Sequence, residues 1–546
     1  MKLRYEILTL ALLSAVMMAS SCKKSFLDKG IPQDQLTSST FYTTELELQM
    51  ATSYLYGQPW FDYNWPFGYQ LAEVQSGNVV SYSWNGGATS FLNFAVPSNS
   101  SDTKYGWSSL YNVIAHSNTT IINVTARTPD LPAALGIAKK TALGESHFMR
   151  AIAYFQLVQT FGPVPIIEDN NKVAADPNLK PIIVTDIYKF IINDLKKAVA
   201  YLPLTNTKGH VNVWAAKGLL AKVYLTAAGV TGTREQSSLD SAKTYALDVA
   251  ANSGLTLAPN FGDLFLSKNN NALPELMFGL QWAVSPAAAY GNNDQRQTQL
   301  EGSSDIDDVG GGGWGGFRVS ADLAKLYSST DLRRKATFMR AGDSYPELIT
   351  AKNPKGYAMT DTGSLYIKKY IIGGPLANGG ANIRPQWNNI PTYLLRLADV
   401  YLVLAEATLG SNATTSDANA LLYFNKVRNR ANPTAPALTS LDFKTIFTER
   451  RIELAGENQF WFDIKRWHDW NPTGASDFVK GQHRNMASYD PAKSNPNYFE
   501  NPVANTSIPG ELTVLTGLLP QKWTISYPAA DLTSNPNLSL PPVPYY

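Results

Sequence analysis

Two acidic and two basic side chains stand close together in the segment TERRIEL, at Glu449, Arg450, Arg451 and Glu453. A pair of carboxylates can act as general acid and general base when the two groups flank a substrate. Glu449 and Glu453 are four residues apart, so on a helix they share one face and do not oppose each other. Because a charge near a core persists only with a partner, we favour a structural interpretation, in which these groups clamp one helix to its neighbours.

The helix that carries these charges is predicted from its start signal and its apolar residues. Thr439 and Asp442 have the spacing of a reciprocal helix cap. Phe443, Ile446, Phe447 and Leu454 then supply an apolar side, and an aromatic run follows from Phe460 to Trp467. The charges therefore lie beside a core.

The same residues carry a family resemblance. The segment ERRIELAGENQFWFDIKRW resembles the C-terminal signature of the SusD/RagB family of Bacteroidetes outer-membrane lipoproteins, in which E-R-R-x-E-L precedes W-F-D-x-x-R. The segment SYPAADLTSNPNL resembles the P-x-x-E-x-x-x-N-P-N-L ending of that family, with Ala530 or Asp531 near the position of its acid. The resemblance implies a scaffold of tetratricopeptide-like helix pairs and capture of a nutrient for a neighbouring transporter.

Composition narrows the possible functions. Charged residues make up 16% of the 546 residues, against about 25% in typical soluble proteins, and aromatic residues make up 11%. The net charge of +2, from 46 basic and 44 acidic residues, provides no basic surface for a polyanion. We therefore expect no binding of nucleic acid.

The N-terminus has the pattern of an export signal that ends in a lipidation site. Lys2 and Arg4 precede an apolar run from Ile7 to Met18, which is too short for a permanent transmembrane helix. Cys22, the only cysteine, follows the small residues 19–21, as in a bacterial lipobox. We predict a signal peptide at 1–21 and a lipidated tether at 22–39. The alternative is an ordinary secreted protein with an unused cysteine.

An aromatic segment from 58 to 102 lacks helical periodicity and mixes rings with Gly, Asn and Ser. Exposed rings can pack on the CH face of a sugar, and amide side chains can hydrogen-bond its hydroxyls. The alternative is that these loops bury their own rings beneath the helices. Trp84 and Asn85 are the best candidates for ligand contact here, because the sequence WNGG indicates a turn.

A second candidate binding region lies within the variable, loop-rich part of the chain, 261–390. In the starch-binding member of the family, rings and an amide from two such regions form the sugar site, so the resemblance implies Trp84 and Asn85 in the first and Trp282, Tyr290 and Trp314 in the second. Trp282 ends a predicted strand and could instead belong to the core. The nearby acids Asp305, Asp307 and Asp308 do not fit an EF-hand. An irregular calcium site stays open, and we predict no resident metal or cofactor.

The predicted fold is mainly α-helical, with tetratricopeptide-like helix pairs, long irregular loops and a few short strands. We expect an N-terminal helical region at 40–260, the variable region at 261–390 and a C-terminal region at 391–546. Individual predictions include strands at Leu276–Trp282 and Tyr366–Ile372, and renewed helix within Arg318–Met339. Pro391 is expected in the first turn of a long helix, and mostly loop is expected after Trp470.

The sequence lacks the common catalytic motifs. It contains no G-x-S-x-G, no H-E-x-x-H and no phosphate-binding G-x-x-x-x-G-K-[ST]. This absence favours a protein without catalytic activity. Together with the lipidation signal and the aromatic loops, the family resemblance implies a lipid-anchored protein on the cell surface that binds an oligosaccharide or polysaccharide and delivers it to a SusC-like TonB-dependent outer-membrane transporter. A relative that captures peptides, a surface glycoside hydrolase and a repeat scaffold that binds only protein are the alternatives.

Overall fold

The computed structural model describes residues 41–81, 86–127, 132–269, 271–284, 291, 293–310, 312–493, 498–500 and 523–546. The predicted signal peptide at 1–21 and tether at 22–39, including Cys22, lie outside these residues. So do three of the predicted ligand contacts, Trp84, Asn85 and Tyr290.

Helices form most of the described structure, which confirms the prediction of a mainly α-helical fold. The helices are α1 Glu45–Ser53, α2 Gly86–Leu92, α3 Ser101–Arg127, α4 Gly136–Phe161, α5 Asn170–Ala175, α6 Val184–Tyr201, α7 Val213–Ala227, α8 Gln236–Asn252, α9 Arg296–Leu300, α10 Ala321–Ala324, α11 Arg333–Thr337, α12 Leu397–Leu409, α13 Ala418–Ala431, α14 Phe443–Leu454, α15 Phe460–Trp470, α16 Pro472–Lys480 and α17 Ala529–Ser534. Short single turns, such as Gln58–Trp60, Tyr63–Phe67 and Gln70–Val74, connect several of them.

The long helices pack in series. α3 packs on α4, α4 on α6, α6 on α7 and α7 on α8. The series continues from α8 to α12 and from α12 to α13, although about 140 residues separate α8 from α12 in the chain. Stacking of each helix on the next is the arrangement of tetratricopeptide-type repeats, as predicted.

Side-chain caps fix where several helices begin. The Asn212 side chain accepts hydrogen bonds from Trp214 N and Ala215 N at the start of α7, and Asp417 does the same for α13. At α14 the cap is Asp442, whose side chain accepts from Thr445 N. The predicted cap at Thr439 was therefore wrong by one turn, because Leu441 and Asp442 form a short strand before the helix.

All the described strands lie in two-stranded antiparallel pairs. The strands are β1 Val79–Ser81, β2 Leu276–Leu280, β3 Phe317–Val319, β4 Phe338–Met339, β5 Ser344–Tyr345, β6 Tyr357–Ala358, β7 Tyr366–Ile367, β8 Thr392–Arg396, β9 Thr414–Thr415, β10 Leu441–Asp442, β11 Ala487–Ser488 and β12 Phe499–Glu500. The pairs are β1–β3, β2–β8, β4–β7, β5–β6, β9–β10 and β11–β12.

One local prediction is wrong, and two others become more specific. Pro391 precedes strand β8, and the long helix α12 begins only at Leu397, because β8 pairs with β2. Helix resumes within Arg318–Met339 as predicted, in the two short helices α10 and α11 between strands β3 and β4. Helix α16, Pro472–Lys480, lies in the part after Trp470 that was predicted to be mostly loop; proline occupies its first turn and Asn471 caps it.

The main hydrophobic core draws residues from all three predicted regions, from Leu55 to Leu538. Rings of the aromatic segment contribute heavily: Trp60, Phe61, Tyr63, Phe67 and Tyr69 are all at most 3% exposed. For these five rings the alternative of burial beneath the helices is confirmed.

Close packing of α3 on this aromatic segment depends on Gly106. A Cβ added at Gly106 would lie 2.2 Å from Cδ1 of the buried Phe67 ring. We expect Gly106→Ala to lower the free energy of unfolding by about 1 to 3 kcal/mol, the usual cost of overpacking a core. Gly136→Ala at the start of α4 is the matched control, since its Cβ would meet no atom within 4 Å. Urea unfolding of both variants measures the difference, and an equal, small effect in both would contradict this packing.

Candidate functional site

The acidic and basic residues of α14 are paired with neighbouring elements. Arg333 Nη1 donates to Glu449 Oε1 at 2.6 Å and to Glu453 Oε2 at 3.0 Å. Arg396 Nη1 lies 3.1 Å from Glu453 Oε1, and Arg430 also binds this carboxylate. The two carboxylates therefore share a guanidinium and do not face an open cleft.

The other face of α14 is held in the same way. Arg450 bridges Asp399 of α12, at 2.7 Å, and Asp463 of α15, at 2.9 Å. Lys222 of α7 completes the cluster, with Nζ 2.7 Å from Asp399 Oδ2. These contacts confirm that the charges of the ERRIEL segment clamp helices together.

Electrostatics support the clamp over an acid and base pair. Burial alone would raise the pKa of Glu453, but the guanidiniums of Arg430, Arg396 and Arg333 outweigh it and hold that pKa below its usual value. A group that acts as an acid near neutral pH needs the opposite shift. Glu453 is therefore a permanent anion in the core.

The clamp also positions strand β1. Arg451 Nε donates to Asn78 Oδ1 at 2.8 Å, directly before Val79. The buried carboxylate of Glu73 accepts hydrogen bonds from Gly456 N at 3.0 Å and from Asn458 N at 2.9 Å. The end of α14 and the turn after it thus fix the chain that leads into β1.

Strand β1 ends shortly before Trp84 in the sequence, and its partner β3 begins shortly after Trp314. It pairs antiparallel with β3, and Ser81 lies opposite Phe317. In the sequence, Trp84 follows Ser81 by three residues, and Trp314 precedes Phe317 by three. Ser81, the last described residue before Trp84, therefore lies beside Phe317, which follows Trp314 by three residues.

Among the predicted ligand contacts that the structure describes, Trp314 lies at the surface, and the residue is 50% exposed. Buried groups support the glycine-rich segment around it. Gly315 N donates to Glu301 O at 2.7 Å, and Arg318 donates to Gly315 O. The Arg318 guanidinium also lies 4.1 Å from the centroid of the Tyr366 ring.

The Glu301 carboxyl lies directly under this segment. A Cβ added at Gly312 would lie 2.6 Å from Glu301 Oε1, so only glycine fits without movement of Glu301. Burial, together with a hydrogen bond and repulsion from Asp307, raises the pKa of Glu301 well above its usual value. The sequence analysis did not predict that Glu301 packs under the glycine-rich segment. The run of glycines was the one sequence feature that indicated it, because glycine permits the close approach of other groups.

Trp282 does not join Trp314 at the surface. The residue is only 7% exposed, and its ring Nε1 donates to Thr392 Oγ1 of β8 at 2.9 Å. The prediction that this ring stacks on a ligand is not supported, because the pairing of β2 with β8 carries it into the core.

The acids considered for an irregular calcium site have separate partners. Asp305 pairs with Lys352 at 2.6 Å, and Asp307 Oδ1 accepts from Val309 N at 2.9 Å. Asp308 Oδ2 accepts from Leu376 N at 3.3 Å. Within the described part of the chain, no group of three or more His, Cys, Asp or Glu side chains is arranged to hold a metal ion.

Comparison with known proteins places the chain in a family. Residues 274–546 match the SusD family, and residues 26–225 match a family described as starch-binding and associating with the outer membrane. The chain is 35% identical to a SusD-like protein of Bacteroides ovatus, over 98% of each protein. The chain belongs to the SusD family. Among the described residues of this SusD-family protein, no helix is long and apolar enough to cross a membrane.

Solved structures agree with this assignment. One crystal structure, determined with a xylogluco-oligosaccharide, is 34% identical to this SusD-family chain, with a TM-score of 0.78 over 91% of this chain and 99% of the other. A laminarin-binding SusD-like protein is 22% identical, with a TM-score of 0.63 over 82% and 96% of the two chains. At that identity the second similarity supports the fold alone.

Proposed function

We propose that this protein is a cell-surface lipoprotein that binds an oligosaccharide or polysaccharide without cleaving it and delivers it to a SusC-like TonB-dependent outer-membrane transporter. Trp314 provides one stacking ring, and Trp84, Asn85 and Tyr290 provide the remaining contacts. Cys22 carries the lipid that anchors the protein to the outer membrane, with residues 23–39 as the tether.

The β1–β3 pair is the main observation that supports this location of the binding site. Its register, with Ser81 opposite Phe317, joins two sequence regions that are more than 230 residues apart. Trp314, three residues before Phe317, is half exposed, in contrast to the buried rings of Trp60 and Trp282. An exposed indole close to this strand pair in the sequence is suited to stacking on a sugar ring.

Two further observations support capture of a glycan without catalysis. The 34% identical structure was determined with a xylogluco-oligosaccharide, which favours a glycan over a peptide as ligand. Glu449 and Glu453, the two carboxylates considered as a catalytic acid and base, are bound to an arginine and are at most 7% exposed. Neither carboxylate is available to protonate a glycosidic oxygen.

Glycan-array binding of the chain without residues 1–22, followed by a reducing-end assay on every glycan that binds, tests this function. We expect saturable binding to at least one polysaccharide class and no release of reducing ends. Binding to peptides alone would favour the peptide-capturing alternative. Release of reducing ends would identify the protein as a hydrolase.

A further inference from the structure

Glu301 and Asp307 form a pair of buried carboxyl groups beneath the glycine-rich segment 312–316, which carries Trp314. Glu301 is 0% exposed and Asp307 is 4% exposed, and the two carboxyl groups are hydrogen-bonded to each other. Two ionised carboxylates cannot make such a bond, because each of them only accepts hydrogen bonds. One of the two groups must therefore hold a proton.

The other contacts of the two carboxyl groups locate this proton. Gln297 Nε2 donates to Glu301 Oε2 at 3.0 Å. On Asp307, Oδ1 accepts from Val309 N at 2.9 Å and from Gly310 N at 2.6 Å. The remaining oxygens, Glu301 Oε1 and Asp307 Oδ2, are buried and accept from no other donor in the described part of the chain. The shared proton therefore lies between these two oxygens.

The segment that carries Trp314 is supported by Glu301 on both sides of the tryptophan. Before Trp314, the backbone of Gly312 packs on the Glu301 carboxyl so closely that an added Cβ would lie 2.6 Å from Oε1. After Trp314, Gly315 N donates to Glu301 O at 2.7 Å. A shift of the carboxyl toward Gly312 would therefore displace the backbone two residues from Trp314.

Loss of the shared proton would leave two negative charges side by side in a buried position. Burial and the contact with Asp307 raise the pKa of Glu301 well above its usual value. The proton is therefore held at low pH and lost as the pH rises through this raised value. The polar groups that act on Glu301 among the described residues are Asp307 and Gln297, and neither is a cation that could offset the repulsion.

The other ionisable side chains around this segment have contacts that do not need a shared proton. They include Asp305, Asp308, Arg318, Tyr357, Asp361 and Tyr366. Each of these aspartates accepts from a donor of its own. Burial raises the pKa of Tyr357, and it raises the pKa of Tyr366 to about 12, so both rings stay neutral below about pH 9. Arg318 keeps its charge throughout this range.

We propose that the proton shared by Glu301 and Asp307 holds the Trp314 segment in its binding conformation, so that glycan affinity falls when the pair ionises. The effect on affinity rests on the proposed function, whereas the support of Trp314 requires no ligand. Glu301 and Asp307 are positioning residues, which act on the sugar through Trp314.

Fluorine NMR tests the support of Trp314 directly. The chain from residue 23, which retains every described residue, is labelled with 5-fluorotryptophan, and the Trp314 resonance is assigned by its loss in Trp314→Phe. Raising the pH from about 5 to about 9 should shift or broaden this resonance. Glu301→Gln should abolish the change, because a permanent amide N–H group replaces the shared proton.

Two further variants check the origin of this titration. Asp307→Asn should also abolish the change, because it supplies an N–H group from the other side of the pair. Asp305→Asn is the matched control, since Asp305 pairs with Lys352 at the surface. This control should keep the titration of the parent chain.

Isothermal titration with a glycan from the array measures the effect on binding. The Kd of the parent should rise about fivefold or more over the same pH range, and the Kd of Glu301→Gln should change less than about twofold. A Trp314 resonance that does not titrate, or titrates equally in Glu301→Gln, would overturn the proposal whether or not a glycan binds. A constant Kd in the parent would also overturn it. A Trp314 titration that Glu301→Gln abolishes, in a protein that binds no glycan, would support the shared proton and contradict the proposed function.

Discussion

Replacing Glu453 with glutamine is expected to lower the free energy of unfolding by about 3 to 5 kcal/mol, the cost of breaking a buried ion pair by removing one partner. Glu453 is completely buried and binds Arg333, Arg396 and Arg430. Glutamine keeps the shape but removes the negative charge, so three guanidiniums lose their shared counter-ion. Urea-induced unfolding of the variant and the parent chain measures the loss.

Asp305→Asn is the matched control for this experiment. Asp305 pairs with Lys352 at the surface, with 37% and 71% of the two side chains exposed. Water and salt screen such a pair, so its loss should change the free energy of unfolding by less than about 1 kcal/mol. If Glu453→Gln cost no more than this control, the clamp would not be what joins α14 to its neighbours.

Replacing Trp314 with alanine is expected to weaken glycan binding by about 1 to 3 kcal/mol, the range for loss of one stacking ring. This corresponds to an increase in Kd of about 5- to 150-fold. Because Trp314 is half exposed, its removal should lower the unfolding midpoint less than removal of a buried ring such as Trp60 would. Isothermal titration with a glycan from the array measures the effect, and Trp84→Ala is expected to fall in the same range.

Tyr546→Ala provides the comparison for Trp314→Ala. Tyr546 is also an exposed ring, at 60%, but its hydroxyl binds Asn193 of α6 and not the β1–β3 region. Its loss should leave the Kd unchanged. Unchanged affinity in both Trp314→Ala and Trp84→Ala would remove these rings from the site.

Much of the fold could be predicted from local patterns, because the long helices satisfy their backbone hydrogen bonds internally. The apolar stripes of α4 and α12 and the cap of α13 are readable in the sequence. The prediction of a helix start at Pro391 was wrong because a long-range contact determines the local structure. The residues after Pro391 pair with β2, about 115 positions earlier, and this pairing outweighs the local helix signal. The β1–β3 pair likewise joins residues that are more than 230 positions apart, so no local sequence pattern predicts it.

The candidate site was predictable to a lesser degree. Residue type alone does not separate Trp314, which is exposed, from Trp282, which is buried against β8. Trp282 follows strand β2, which pairs with β8, whereas Trp314 precedes strand β3, which pairs with β1. The difference in exposure therefore depends on these long-range pairings.

The most direct test of glycan capture is a crystal structure of the chain from residue 23 with an oligosaccharide selected by the array. We predict a sugar ring stacked on Trp314, within about 4 Å of its face, at the end of the β1–β3 pair. A sugar bound elsewhere on the protein, with Trp314 making no contact to it, would contradict the account.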